Sequence, residues 1–183
     1  MMNRFSIIAV IVVAMLAFAC KNKAVPQEVA TDKKQDTITA IVTNEIILRD
    51  DRLNAIYPQY VKLTTALVDN DAATARIAAN AIGEGAARLQ LNSKIKQEAD
   101  KIVATADIAL QRTAFAALSN ELIVLIEKSG VQAGALYVDF CPMAMEDKGA
   151  SWISGVKDIR NPYFGEQMLT CGGIKSTFAA NNN

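Results

Sequence analysis

Histidine is absent from all 183 residues, and no other feature of the chain removes as much chemistry. Its absence takes away the commonest general acid/base at neutral pH, the Ser-His-Asp and Cys-His arrangements, and any zinc site built on imidazole. Net charge is absent too. The 19 basic residues balance 19 acidic ones, so no positive field supports nucleic-acid binding. Cysteine is scarce, with three in the chain and no Cys-x-x-Cys pair of the redox type. The acidic stretches Asp50-Asp51 and Asp69-Asn70-Asp71 lack the ligand pattern of a calcium loop and read as helix caps and solvated loops. No internal repeat stands out. These exclusions place a non-catalytic role ahead of an enzymatic one.

What is present starts with an apolar leader. Arg4 is followed by an apolar stretch from Phe5 to Ala19, interrupted only by Ser6, about 15 residues where a permanent membrane-spanning helix needs ~20. The pattern is that of a secretion signal. "LAFAC", ending at Cys20, resembles the lipobox of bacterial lipoproteins, although Leu16 sits one place further from the cysteine than usual. The resemblance implies cleavage before Cys20 and lipidation there, which would anchor the protein at a membrane at ~0.8 kcal/mol per buried methylene. Lys21, in place of an acidic residue after the cysteine, leans toward the outer membrane over the inner. The expected location is the cell envelope, facing the periplasm. Residues 21–37, "KNKAVPQEVATDKKQDT", are polar with no apolar period and read as a flexible tether. The expected organisation is a signal peptide over 1–19, lipidated Cys20 and tether over 20–37, a domain over 38–176, and a frayed tail over 177–183.

From about Asn44 to Ser129 the chain is alanine-rich, with apolar residues three or four apart. Leu53, Ile56, Tyr57, Tyr60, Leu63 and Leu67 mark a first helix, interrupted by Pro58, which should kink or restart it. Asp69 to Asp71 predict a stop and a fresh cap. A second helix follows with Ile77, Ala78, Ala81, Ile82, Gly85 and Leu89 on one side. Gly83 and Gly85 in its interior predict a close helix approach, since each costs roughly 1 kcal/mol relative to alanine. Ser93 is the expected cap of a third helix. A fourth, starting at Asp107 or Thr113, carries Phe115, Leu118, Leu122, Ile123, Val124, Leu125 and Ile126 and ends at Gly130. Its wide apolar face predicts the most buried helix. Four helices with short connections predict a mainly all-α fold, an up-down antiparallel four-helix bundle. After Gly130 the texture changes. Leu136, Val138 and Phe140 alternate with Tyr137, Asp139 and Cys141 as in a strand, stopped by Pro142. A glycine-rich stretch then predicts an irregular, partly β C-terminal cap with two short strands.

Sulfur is concentrated in that cap. Cys141, Met143 and Met145 lie in "FCPMAM", and Met168 and Cys171 in "MLTCGG". Thiolates and thioethers are the donors that a soft cation such as Cu(I) prefers. In an extended segment, positions i, i+2 and i+4 share one face, and one tight turn would bring Met168 and Cys171 to a common side. The same two cysteines are equally the expected partners of a disulfide in an oxidising compartment, worth roughly 3–4 kcal/mol on the chain-entropy estimate. Both states remain open, and metal can bind the reduced form. Trp152, Tyr163 and Phe164 are expected to pack the cap on the helices, and Arg160 to pair with a carboxylate or cap carbonyls.

The segments "YVDFCPMAM" and "GASWISGVKDIRNPYFGEQMLTCG", and more faintly "ADIALQRTAFAALSNELIVLIE" and "YVKLTTALVDND", resemble an uncharacterised bacterial domain. That domain occurs in secreted lipoproteins and is fused to the C-terminus of copper/silver efflux adaptor (membrane-fusion) proteins. The resemblance implies a link to Cu(I) or Ag(I), with an efflux adaptor or another envelope protein as partner. Residue by residue it carries over to Cys141, Met143, Met168 and Cys171, with Met145 as a local addition. The chain departs from the family at Leu110 and Phe140, where members often carry histidine, so an all-sulfur donor set would remain.

Overall fold

A computed structural model describes residues 45–180. The leader, Cys20 and the tether lie outside the described residues. Within them the chain is mostly helical, with antiparallel strands gathered at the C-terminal end. The first element, however, is a short strand: β1 (Ile47–Leu48) pairs antiparallel with β2 (Val131–Ala133), in a stretch expected to be helical. Asn54 decides this locally. Its side chain accepts the Leu48 N–H at 2.8 Å and donates to the Leu48 carbonyl at 2.7 Å, occupying both groups that a helix would need.

Helix α1 (Asp51–Val68) starts at Asp50, whose carboxylate accepts the Arg52 N–H. The predicted stripe of Leu53, Ile56, Tyr57, Tyr60, Leu63 and Leu67 is buried. Pro58 does not break the helix. It sits on the exposed side of the helix, which continues through it with one backbone hydrogen bond fewer. Asp71 caps α2 (Ala72–Arg88) by accepting the Thr74 N–H, and Asn92 rather than Ser93 caps α3 (Ser93–Val103). Asp107 caps α4 (Ile108–Ser129), which ends at Gly130.

Helix α1 packs on α2, α2 on α3, and α3 on α4. The buried face of α2 keeps the expected Ala78 and Ile82 but leaves Ile77 outside. Ile77 is 72% exposed, while Ala75, Ala78, Ala79, Ile82 and Ala86 are buried. Lying between two helices, α2 turns its smallest side chains to both. A Cβ on Gly85 would come within 2.8 Å of Ile56 Cγ2 on α1, so the close approach predicted from the glycine is real. Helix α4 likewise buries less of its apolar surface than expected. Val124 is 58% exposed, whereas polar Gln111 and Ser119 are fully buried.

Beyond β2 lies a three-stranded antiparallel sheet, where one strand followed by an irregular cap with two short strands was expected. Its order is β4 (Ala150–Ser154), β3 (Ala135–Cys141), β5 (Gly173–Ala179), with β3 central. The tail expected to fray from residue 177 is paired through Ala179, with Leu136 opposite Phe178 and Ala135 opposite Ala179. Its short polar residues mask any strand alternation. The sheet is seated on the helices by one chain of rings. Tyr60 of α1 stacks on Phe115 of α4 at 5.5 Å, Phe115 meets Tyr163 at 5.7 Å, and Tyr163 meets Trp152 of β4 edge-on at 5.9 Å. Tyr60 Oη shares a 2.8 Å hydrogen bond with Ser119 Oγ and accepts the Ile153 N–H at 3.1 Å. Trp152 and Tyr163 thus join cap to helices, as predicted.

Candidate functional site

Cys141 closes the central strand β3, opposite Ala150 of β4. Its side chain is fully buried. Cys171 arrives from the other side, at the end of the loop that joins β4 to β5, and is half-buried. The two Sγ atoms are 2.8 Å apart. Two residues distant in sequence are therefore neighbours, and the loop that brings them together is built on Asn161.

Asn161 is fully buried and every polar group it owns is engaged. Its Nδ2 donates to the Cys171 carbonyl at 2.9 Å, and its Oδ1 accepts the Tyr163 N–H at 2.8 Å. Its own N–H reaches the Leu169 carbonyl at 2.8 Å, and its carbonyl accepts the Gly165 N–H at 3.0 Å. The Cys171 N–H donates to the Met168 carbonyl at 3.0 Å across the end of the 3₁₀ turn Gly165–Met168. After Cys171 the chain crosses β3 at Gly172 (φ 127°), where a Cβ would lie 2.8 Å from the Phe140 carbonyl oxygen and 3.2 Å from the Trp152 ring. Only glycine fits there. Tyr163 Oη, 2.6 Å from the Ser151 carbonyl, pins the loop to β4, and burial holds its phenol well above the usual range. Arg112 of α4 ties the same loop to the helices. Its Nε donates to the Pro162 carbonyl at 2.8 Å, and its Nη2 donates to the Leu67 carbonyl at 2.9 Å and Asn70 Oδ1 at 2.8 Å.

The hydrogen bond with Cys141 raises the Cys171 thiol above its ordinary value, as does the cost of placing a second thiolate beside the first. The arrangement can be oxidised to a disulfide with less than about 1 Å of movement. For a metal the fit is different. Two sulfurs bonded tetrahedrally to one ion at ~2.3 Å, as in zinc thiolates, stand ~3.7 Å apart. The pair must open by roughly 1 Å to admit an ion, and Cys171, on its loop, is the partner able to move. Among the described residues no cluster of three or more Cys, Asp or Glu is placed to hold a metal ion.

The three methionines are divided. Met143 and Met145 line a cavity of about 590 Å³ between α4 and the turn after β3, together with Arg112, Tyr163 and Phe164. Met168 is half-buried at the end of the 3₁₀ turn and does not line that cavity, and neither do the cysteines. Met145, Glu146 and Asp147 all have left-handed backbone angles (φ 55°, 57° and 62°). Asp139, two residues before Cys141 and opposite Trp152, is fully buried with neither carboxylate oxygen hydrogen-bonded. Desolvation pushes its pKa up to about 7. Arg160 makes no ion pair or side-chain hydrogen bond among the described residues; it lies exposed at the rim of a second groove, of about 390 Å³, beside α1. Sequence reasoning missed Asn161, Asp139 and Arg112. Asn161-Pro162 signalled a turn, but nothing local marks an asparagine as the hub of one.

Residues 56–134 match the model of a family described as a protein of unknown function (DUF3347). The match runs from within α1 through β2 and stops before β3. It therefore contains Phe115 and Arg112, which carry the cap, and none of the five sulfur residues of the candidate set. No curated protein and no solved structure matches the chain.

Proposed function

We propose that this protein is a non-catalytic, membrane-anchored lipoprotein of the cell envelope that binds a soft monovalent ion, Cu(I) or Ag(I), through Cys141 and Cys171. It would buffer the ion or pass it to an efflux system by ligand exchange. The observation that supports this is the 2.8 Å approach of two thiols, one rooted in the central strand and one on a loop exposed enough to admit an ion. Met168, whose carbonyl accepts the Cys171 N–H, is a candidate thioether on the same turn. Met143 and Met145, which line the separate cavity, would have to turn toward the thiols to join them. In this reading Cys20 carries the lipid, the outer membrane holds the anchor, and the helices form the up-down bundle on which the cap rests.

Titration of the reduced full chain with Cu(I) against a competing chelator tests the proposal. One tightly held equivalent is expected, lost in Cys141→Ser/Cys171→Ser. Competition unaltered by that double substitution sinks the reading.

The same sulfur spacing favours a second reading, a disulfide-stabilised interaction module that docks on an efflux adaptor or another envelope protein. Oxidation of both thiols would close the loop and raise stability by roughly 3–4 kcal/mol. Mass spectrometry of protein isolated from envelopes separates the two. A quantitative Cys141–Cys171 linkage favours the module, and free thiols favour the metal site.

A further inference from the structure

The cavity between α4 and the turn after β3 belongs to neither thiol. Its polar lining is Arg112 with the exposed Thr113, Glu146, Asp147 and Lys148; Arg112 is a half-buried cation whose Nε and Nη2 donate to two backbone carbonyls and one amide oxygen. None of these neutral acceptors cancels its charge. Nη1 makes no hydrogen bond among the described residues, and no carboxylate pairs with the guanidinium. Glu146, at the cavity rim, turns instead to Lys148 at 3.3 Å. A guanidinium withdrawn from water with one nitrogen, Nη1, unpaired can receive an anion through that nitrogen. The opposite wall is apolar and polarizable, made of Met143, Met145 and the ring of Phe164. At about 590 Å³ the space falls within the range of small-molecule sites, ~300–1,000 Å³.

The backbone that presents Met145 supports a role for this wall. Met145, Glu146 and Asp147 occupy the left-handed region in succession, at about 1–2 kcal/mol each for non-glycine residues. Strain of this kind persists where surroundings over-determine it, and it gathers at ligand clamps.

We propose that this cavity binds a small organic monocarboxylate, with the carboxylate on Nη1 of Arg112 and an apolar body along Met143, Met145 and Phe164. A bare cation is disfavoured beside the guanidinium. A phosphate dianion is disfavoured because Lys148 is already paired and the carboxylates of Glu146 and Asp147 share the rim.

The experiment is ligand-observed saturation-transfer NMR on the full chain with octanoate, octan-1-ol and acetate. Octanoate should saturate at roughly 1 mM, octan-1-ol should bind about tenfold more weakly, and acetate should not bind. Arg112→Gln should bring octanoate down to the level of the alcohol. Thr113→Trp should abolish binding, since Thr113 lines the cavity from an exposed helix position. Cys141→Ser/Cys171→Ser should leave octanoate binding unchanged, which separates this site from the metal reading. The proposal is overturned if octanoate fails to saturate by about 10 mM, if octan-1-ol binds as well, or if Thr113→Trp binds like the parent. Because Arg112 also ties three segments together, circular dichroism checks that its variant folds. If it does not, Thr113→Trp and the acid–alcohol comparison decide.

Discussion

The helices and the cap are held by different kinds of force. In the helices, one apolar stripe per element packs on its neighbour, and each helix opens on a local cap: Asp50, Asp71, Asn92 and Asp107 each bind amides two or three residues on. In the cap, the decisive bonds are not helix caps. Asn161 gathers the amides and carbonyls of residues 163 to 171 and holds Cys171 by its carbonyl, Tyr163 reaches back to Ser151, and Arg112 reaches across from α4. A stripe tolerates exchange of one apolar side chain for another. A hub does not, because each of its bonds is to a particular buried group that has no alternative partner.

The largest effect should come from the ring that both regions share. Phe115→Ala empties a fully buried site between Tyr60 and Tyr163 and should destabilise the protein by about 3–5 kcal/mol. Denaturant unfolding gives the total, and hydrogen exchange of β3 amides shows whether the cap loosens with the helices. Unchanged β3 protection would mean that the two regions are independent.

Asp139 should make stability fall with pH. Its folded pKa of about 7 lies above the ordinary carboxylate value of 3.8, so the folded state holds the proton more tightly. The stability this contributes is complete below pH 3.8, declines as pH rises toward 7, and is flat beyond. The difference between the two values corresponds to at most about 4 kcal/mol. Asp139→Asn should remove that slope and stabilise the protein at pH 8. A slope retained in melting curves from pH 4 to 8 would show that another group is responsible.

Asn161→Ala should cost about 2–3 kcal/mol, because it frees the buried Tyr163 amide and the part-buried Cys171 carbonyl. Its sharper signature is chemical. Cys171 should react faster with a thiol reagent, and the Cys141–Cys171 disulfide should form more slowly under mild oxidant, while helix content by circular dichroism is unchanged. Loss of helix content would show that the hub holds more than the cap. The smallest effect belongs to the exposed apolar positions of the helices: Ile77→Ser and Val124→Ser should each shift stability by no more than about 0.5 kcal/mol in thermal melts.

The four helices are legible because helix formation is decided within a turn or two. The stripe of α1, the Asp71 and Asp107 caps and the stop at Gly130 all lie next to the residues they govern. The errors fall where neighbours decide. Ile77 is apolar and so reads as inside, yet a helix lying between two others buries its alanines. The paired tail reads as frayed because Ser176 and Thr177 carry no strand alternation of their own and take their order from β3. Of the candidate site, composition points to the cysteines and methionines but cannot separate them into a thiol pair and a cavity wall. Asp139 looks like the outward half of a strand alternation until the rest of the molecule covers it.

Residue order alone determines the apolar leader, the helical segments and the concentration of sulfur beyond Gly130, since each depends on side-chain type and short-range period. That Cys141 and Cys171 meet, that Met143 and Met145 turn to a separate cavity, and that a carboxylate is buried beside them are outcomes of the fold. They depend on strand register, on the docking of a loop through Asn161 and Arg112, and on which surface the aromatic rings close off. Those interactions join residues too distant in sequence for local chemistry to specify.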